Sequence, residues 1–307
     1  MARWGICTTL KAPVEQVLAF VAHHLSLGAD RIWLYFDDPD DPAADVAQTL
    51  DRVTVTRCDA SHWAGFQWRR PERHQNRQGQ NARRCYSLCD TAWLCHIDVD
   101  EFILPRKPIG EVLAATPAAT QTLQMAPWEA LYDPALTDDI FTARQFRSAL
   151  RGKDHAADRT RIFGQFAFLL PSGVLSHAVG KCLFRTGLQD FQIRLHGAII
   201  KGVRERVAGF QEDLPLLHFH AQRKEDWLGR LDFRLKRGAY QDNLGLTTYL
   251  DICGKSARSG FYDKVQTATP DMLAHLRSIG AVIEADLNLR EKVEKMRLRL
   301  NKPGPTA

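Results

Sequence analysis

The chain has 307 residues, 45% hydrophobic and 25% charged, an ordinary balance for a soluble globular protein with length enough for a sizeable core. Lysine and arginine exceed aspartate and glutamate by 41 − 36 = 5; this mild basic bias suits an anionic substrate such as a nucleotide and is too weak to indicate a nucleic-acid binder. No apolar run reaches bilayer length, Met1-Ala2-Arg3-Trp4-Gly5-Ile6 does not read as a signal peptide, and seven cysteines without a paired Cys-x-x-Cys read as reduced thiols of a cytoplasmic protein.

Strands and helices alternate over the first hundred residues. Trp4–Thr8 predicts a strand. A helix opens at Pro13 and closes at Gly28, with Val14, Val17, Leu18, Val21 and Leu25 on its apolar face. Arg31–Phe36 is a second strand, Ala43–Leu50 a short helix, Val53–Arg57 a third strand and Gln78–Asp90 a longer helix. Trp93 to Phe102 then reads as a strand ending in acids. This alternation implies an α/β fold with a mostly parallel sheet flanked by helices. Beyond Leu104 the pattern loosens. Gln121–Ala126, Phe163–Leu170, Lys181–Arg185 and Leu214–His220 are strand candidates, and residues 133–160 read as a long loop or insertion. Arg223–Gly238 and Pro270–Leu300 look helical, and Asn301–Ala307 reads as a frayed tail. The expected division is 1–240 as the main domain and 241–307 as a helical C-terminal extension.

The chemistry concentrates where apolar runs meet acids. Asp98 and Asp100 follow a buried-strand pattern, and ligands of open α/β sheets bind just past the carboxyl ends of strands. On extended chain the two carboxylates face one way, so they repel unless a cation or a proton lies between them, and oxygen ligands of this kind suit Mg²⁺ or Mn²⁺. Asp37 and Asp38 end the second strand, where a carboxylate can accept from a ribose hydroxyl or base N–H. His218 and His220 end an apolar run and can complete a metal site or contact a phosphate. Arg77, within the arginine-rich stretch from Arg69 to Arg84, and Lys181, after a flexible glycine, are candidates for a diphosphate. Trp63, Phe66, Trp68, Trp128 and Tyr132 are core aromatics by default, with Trp128 also suited to stacking on a sugar. Glu129 is a candidate general base, in competition with Asp133, Asp138, Asp139 and Asp213.

Lys11 with Glu15, Phe20 to Asp30, and Ile32-Trp33-Leu34-Tyr35-Phe36-Asp37-Asp38 resemble the opening of family-2-like glycosyltransferases, the subgroup related to family 92 in particular. Trp93 to Phe102 resembles that group's Asp-x-Asp-Glu-Phe segment. Leu217-His218-Phe219-His220, with Trp227 and Lys236-Arg237-Gly238-Ala239-Tyr240, resembles its closing strand and helix. The chain departs from the pattern at Ala12-Pro13, where the group has Asn-Glu.

The resemblance covers roughly residues 3–240. It implies a GT-A fold, a nucleotide-sugar donor contacted by residues including Lys11, and a divalent cation on Asp98 and Asp100 joined by His218 or His220. The expected activity is metal-dependent, inverting sugar transfer to a glycan, lipid-linked or protein acceptor. A nucleotidyltransferase is an alternative, against which Thr8–Pro13 lacks a glycine-rich phosphate loop. A non-catalytic nucleotide-sugar-binding protein of the same fold is another. Ala285–Leu300 carries Leu287, Val293 and Met296 among Arg290, Lys292, Lys295, Arg297 and Arg299, a basic amphipathic helix for a peripheral contact at the inner membrane face or for capping the domain.

Overall fold

The computed structural model describes residues 1–66, 69–136, 140–205, 207, 209–237 and 239–300. In chain order the elements are β1 (Trp4–Leu10), α1 (Val14–Ser26), β2 (Arg31–Phe36), α2 (Ala43–Gln48), β3 (Val53–Arg57), α3 (Ala60–Ala64), α4 (His74–Leu88), β4 (Trp93–His96), β5 (Glu101–Ile103), α5 (Ile109–Ala115) and β6 (Thr122–Met125). There follow β7 (Pro127–Ala130), β8 (Gln145–Ser148), α6 (Ala156–Phe163), β9 (Lys181–Arg185), β10 (Phe191–Arg194), β11 (Gly197–Ile200), β12 (Val203–Arg204) and β13 (Leu216–His218). The chain ends through α7 (Lys224–Gly229), α8 (Leu231–Arg237), α9 (Leu244–Ile252), α10 (Lys255–Gln266), α11 (Pro270–Ser278), β14 (Val282–Glu284) and α12 (Leu289–Leu300). Among the described residues no helix is long and apolar enough to cross a membrane.

The chain forms two compact units, and the division interleaves. One unit comprises residues 1–126, 180–216 and 287–307; the other comprises 127–179 and 217–286. The boundary expected at residue 240 is therefore not where the chain divides. It presumed that a domain is contiguous, whereas here the chain leaves the first unit after β6, returns with β9 to β12, and returns again with α12.

The first unit is an α/β layer built on a six-stranded sheet of order β3-β2-β1-β4-β9-β6. β1 pairs in parallel with β2 and β4, and β2 with β3. β9 runs antiparallel to β4 and to β6. Every residue of β1 is buried, the pattern of a central strand covered on both faces. α1 buries Val17, Leu18, Phe20 and Val21, and the chain turns out of it at Gly28 with φ +91°, a conformation that favours glycine. α12 packs on α1 and buries Leu289 and Val293, as a helix that caps the domain does.

The second unit holds strands in the order β14-β8-β7-β13 and a helical core around Leu131, Leu150, Phe163, Trp227, Leu231 and Tyr262. Two expectations change here. Phe163–Leu170 is not a strand but the end of α6 followed by a 3-10 turn, which buries Phe163, Leu169 and Leu170. Short apolar runs do not distinguish strand from buried helix. Pro270–Leu300 is two helices with β14 between them, because Gly280 (φ +66°) ends the first. Residues 133–160 likewise contain β8 and the start of α6.

The second unit is also organised by a buried ion pair. Arg147 on β8 and Glu129 on β7 are 0% and 1% exposed at their side chains and lie 2.5 Å apart. Glu129 also accepts from the backbone N–H of Leu175 (3.0 Å) and Ser176 (2.6 Å). Arg147 donates to Gln266 Oε1 at 2.9 Å and to the Val265 carbonyl, and its guanidinium lies 5.1 Å over the Phe163 ring. Removing one partner strands the other charge in the core. Glu129→Ala is expected to cost about 3–5 kcal/mol of unfolding free energy, read from urea melts of the full chain. A change below about 0.5 kcal/mol would show that the pair does not hold this core.

Candidate functional site

Because β1 to β4 are parallel, their carboxyl ends share one edge of the sheet. The order reverses between β1 and β4, the switch point at which such sheets open a crevice. Lys11 follows β1, Asp37 and Asp38 follow β2, Asp59 follows β3 and Asp98 follows β4. A cleft of about 860 Å³ lies at this edge, lined by Lys11, Asp37, Asp38, Asp59, Trp63, Phe66, Arg69 and Arg70 among others. The structure thus gathers three of the residues expected to bind the donor, Lys11, Asp37 and Asp38, in one cavity. Trp63 and Phe66, core aromatics by default, belong to it as well. Trp63 is anchored by its indole N–H on the Cys58 carbonyl at 2.9 Å, and the half-buried Phe66 ring lies 5.5 Å from it. Asp59 is the residue that sequence reasoning missed; it caps α3, accepting from His62 N and Ser61 Oγ, both at 2.8 Å.

Asp37 and Arg77 form the floor of this corner. Arg77 Nε and Nη2 each donate at 2.6 Å to opposite oxygens of Asp37, and Arg77 Nη1 donates to the carbonyls of Pro71 and Glu72 at 2.9 and 2.7 Å. Arg77 is buried, so the role expected for it at a diphosphate gives way to that of a clamp. The guanidinium is already taken up by four acceptor contacts. Arg70 adds a contact to Asp37 at 3.1 Å, and His74 stands 3.7 Å away. Burial alone would raise Asp37, but His74, Arg77 and Arg70 outweigh it and hold the carboxyl well below the usual carboxylate range. Asp38 is more exposed and pairs with Lys11 at 2.9 Å.

The acid segment is a turn rather than a continued strand. β4 stops at His96, the Glu101 N–H donates to the Asp98 carbonyl at 3.0 Å, and the buried Glu101 carboxylate accepts from the Asp98 N–H at 2.7 Å. The two-residue alternation that would align Asp98 with Asp100 is therefore lost. Asp98 receives Gln78 Nε2 on Oδ1 at 2.5 Å and Lys181 Nζ on Oδ2 at 2.7 Å, and Lys181 also lies 3.7 Å from Glu101. Burial would lower the Lys181 pKa, but the charges of Asp98 and Glu101 outweigh it and raise it. Its position depends on Gly180, whose φ is +81° and where an added Cβ would come within 2.0 Å of the Met125 carbonyl oxygen. Lys181, expected as a direct donor contact, is the internal counter-ion of the acid turn. His96 beneath it is buried and kept neutral, its pKa lowered to about 4 by burial and by the Lys181 charge.

In the second unit Glu129 does not offer a general base. Burial would raise its pKa, but Arg147 and the N–H groups of Leu175 and Ser176 lower it, and both oxygens are engaged. His220 is not offered to a metal through Nε2. That nitrogen faces Arg234 Nη1 at 2.5 Å and the Tyr240 hydroxyl at 3.1 Å, and a guanidinium has only hydrogens to give. His218 lies beside His177, a residue in a loop that no sequence signal marked. Their rings are 5.1 Å apart and their nitrogens fall within 4.8 Å of one another. Trp128 is half-buried on β7 opposite Ser148, and Asp133 accepts from the Ala135 N–H in a turn. Asp213, in the first unit, pairs with Lys107 at 2.9 Å. Trp68, Asp138, Asp139, Gly238 and residues 301–307 lie outside the described residues.

No family model matches the chain, and no curated protein matches it. Among solved structures it is similar to S. aureus TarS 1-349 at 9% identity, covering 90% of this chain and 72% of that one, with a TM-score of 0.33. It is similar to a CMP:2-keto-3-deoxy-manno-octonic acid synthetase complexed with CTP at 9% identity, 97% and 100% coverage and a TM-score of 0.30. A putative glucose-1-phosphate thymidylyltransferase from Bacillus anthracis matches at 8% identity, 99% and 98% coverage and a TM-score of 0.29. At TM-scores this low the likenesses carry no weight for fold or chemistry.

The Asp37 clamp has a pH signature. A carboxyl whose folded pKa is depressed contributes stability that is present above its unfolded value and is lost as pH falls through the folded one. Wild type should exceed Asp37→Asn in urea midpoint by a constant margin at neutral pH, and the margin should shrink as pH falls below about 4. A margin that stays constant down to pH ~3 would show that Asp37 is not held ionised by these partners.

Proposed function

We propose that this chain is a glycosyltransferase of the GT-A kind, binding a nucleotide-sugar donor in the cleft at the carboxyl edge of β1 to β3 and transferring the sugar to an acceptor hydroxyl. The observation that carries this reading is the cleft's make-up. An aromatic wall, carboxylates and cations converge at the carboxyl edge of β1 to β3, beside the switch point between β1 and β4, and the acid turn stands at the end of β4. Phe66 and Trp63 suit the flat face of a base. Asp38 and Asp59 suit ribose hydroxyls or a base N–H, and Lys11, Arg69 and Arg70 suit phosphate oxygens.

A bound divalent cation would neutralise charge on the leaving diphosphate. The donor types on this chain suit Mn²⁺ or Mg²⁺: Asp100 in the acid turn and the His177–His218 pair are the candidate ligands, each within its own unit. Asp98 already carries Gln78 and Lys181. The Lys181 ammonium is fixed and desolvated beside the acid turn, where a cation acts on developing negative charge without reorganising. Asp213 is a candidate carboxylate for deprotonating the acceptor, alongside Asp133, and the acceptor must displace Lys107 to reach Asp213.

Calorimetry of the full chain against a panel of nucleoside diphosphates tests the cleft. Phe66→Ala and Asp38→Ala should each weaken the best ligand about tenfold, equivalent to ~1.4 kcal/mol. Asp100→Asn should retain the fold and lose sugar release from the matching nucleotide sugar. A chain that binds no nucleotide, or variants that bind as wild type does, would overturn the donor site. Intact binding without turnover on any nucleotide sugar would overturn the transferase reading and leave a nucleotide-sugar-binding protein.

A further inference from the structure

A second cavity in the first unit, of about 400 Å³, lies between α1 and α12. Its walls carry four cations, Arg52, Lys292, Lys295 and Arg299, over an apolar floor of Ala22, Leu25 and Met296. Among the described residues only Lys295 of the four pairs with a carboxylate, Glu291 one turn earlier. Arg52 Nη1 donates to the Ala29 carbonyl at 3.1 Å, just past the end of α1. The C-terminal end of a helix such as α1 supplies only about half a negative charge. Together with Glu291 that leaves roughly two and a half positive charges without an answer in the cleft.

Lys292 shows the imbalance most directly. His23 is buried and its Nε2 lies 2.8 Å from the Ile103 carbonyl. A carbonyl only accepts, so Nε2 carries the hydrogen and Nδ1 presents its lone pair. Lys292 Nζ sits 3.0 Å from that Nδ1. The half-buried ammonium is thus given a neutral imidazole as partner, which satisfies one N–H and none of its charge. Burial accordingly lowers the Lys292 pKa. The neighbouring Glu291 answers only part of this charge and is itself paired with Lys295, so the half-desolvated ammonium is costly and an entering anion relieves that cost.

We propose that the cleft between α1 and α12 binds a phosphate-bearing ligand, with Lys292 and Arg299 contacting phosphate oxygens and Ala22, Leu25 and Met296 taking the adjoining carbons. Arginine and lysine together on an apolar floor fit a phosphate monoester or diester better than a carboxylate, because a phosphate offers more oxygens and more charge to forked and point donors.

The test uses the full chain in a Lys11→Gln background, which weakens the donor cleft and keeps the two sites separable. One arm titrates inorganic phosphate calorimetrically at constant ionic strength. The other floats the protein with phosphatidylglycerol vesicles against phosphatidylcholine vesicles. Binding in either arm, weakened about tenfold or more by Arg299→Gln and further by Lys292→Gln, supports the proposal. The responding arm identifies a soluble phosphate or a lipid headgroup as the source. Arg299 is exposed, so its variant keeps the fold, and circular dichroism checks both. Absence of binding in both arms, or binding that neither variant changes, overturns the proposal. Failure of the donor cleft to bind nucleotides leaves this readout intact.

Discussion

Two adjacent residues of α4 hold the candidate site together. Arg77 grips Asp37 at the end of β2, and Gln78 reaches Asp98 at the end of β4. β2 and β4 flank β1 in the sheet, so one helical step fixes both sides of the switch point. The clamp is bidentate and charge-assisted, which sets direction as well as strength. The remaining Arg77 donors hold the carbonyls of Pro71 and Glu72, so the same side chain positions the segment that leads into α4. Without it the cleft would lose the fixed relation between its carboxylates and the acid turn.

The three internal carboxylate–cation arrangements differ in what they leave available. Glu129 is enclosed, with Arg147 and two backbone N–H groups on its oxygens, and acts as a structural ion. Asp37 is almost as fully engaged, and its depressed pKa makes it a poor proton acceptor. The acid turn is different. Lys181 is buried, yet Asp98 and Asp100 are only half-buried, so a fixed positive charge stands behind carboxylates that reach the surface. Such a layout favours interaction with the charge of an entering ligand, because the ammonium is already desolvated and oriented. The neutral His96 beneath it follows from its burial first and from the same charge second.

The sequence made the sheet legible where local pattern and packing agree. β1, β2 and β3 lie within a residue or two of the expected strands, since continuous apolar runs bounded by turn residues have few other solutions. The positions of Asp37, Asp38 and Asp98 at strand ends followed from the same alternation, whereas Lys11 entered only through the resemblance. The partners did not. Arg77 is 40 residues from Asp37, and Lys181 is 83 from Asp98. No local periodicity encodes which basic residue meets which acid, so each cation looked available to a ligand. Glu129 appeared as a lone acid after a strand because Arg147 lay in a stretch read as loop, and His220 appeared open because Arg234 lay on a helix whose packing was unknown.

Distance and pairing separate the two positively charged regions of the first unit. α1 starts just after Lys11 at the donor edge and ends near Arg52 and Lys292 at the second cleft. Its thirteen residues span about 20 Å at 1.5 Å per residue, roughly two Debye lengths at physiological salt. Charges at that distance, with solvent available to screen them, act on different ligands rather than on one. At the donor edge Lys11 meets Asp38, and Arg70 and Arg77 meet Asp37. A ligand there must exchange with existing ion pairs, which favours one offering hydroxyls and aromatic surface beside its phosphates. In the second cleft, among the described residues, only Lys295 has a carboxylate partner to leave, so a bare phosphate gains more from charge alone. The small net charge of the chain therefore conceals two unlike electrostatic designs, one selective through exchange and one attractive through excess.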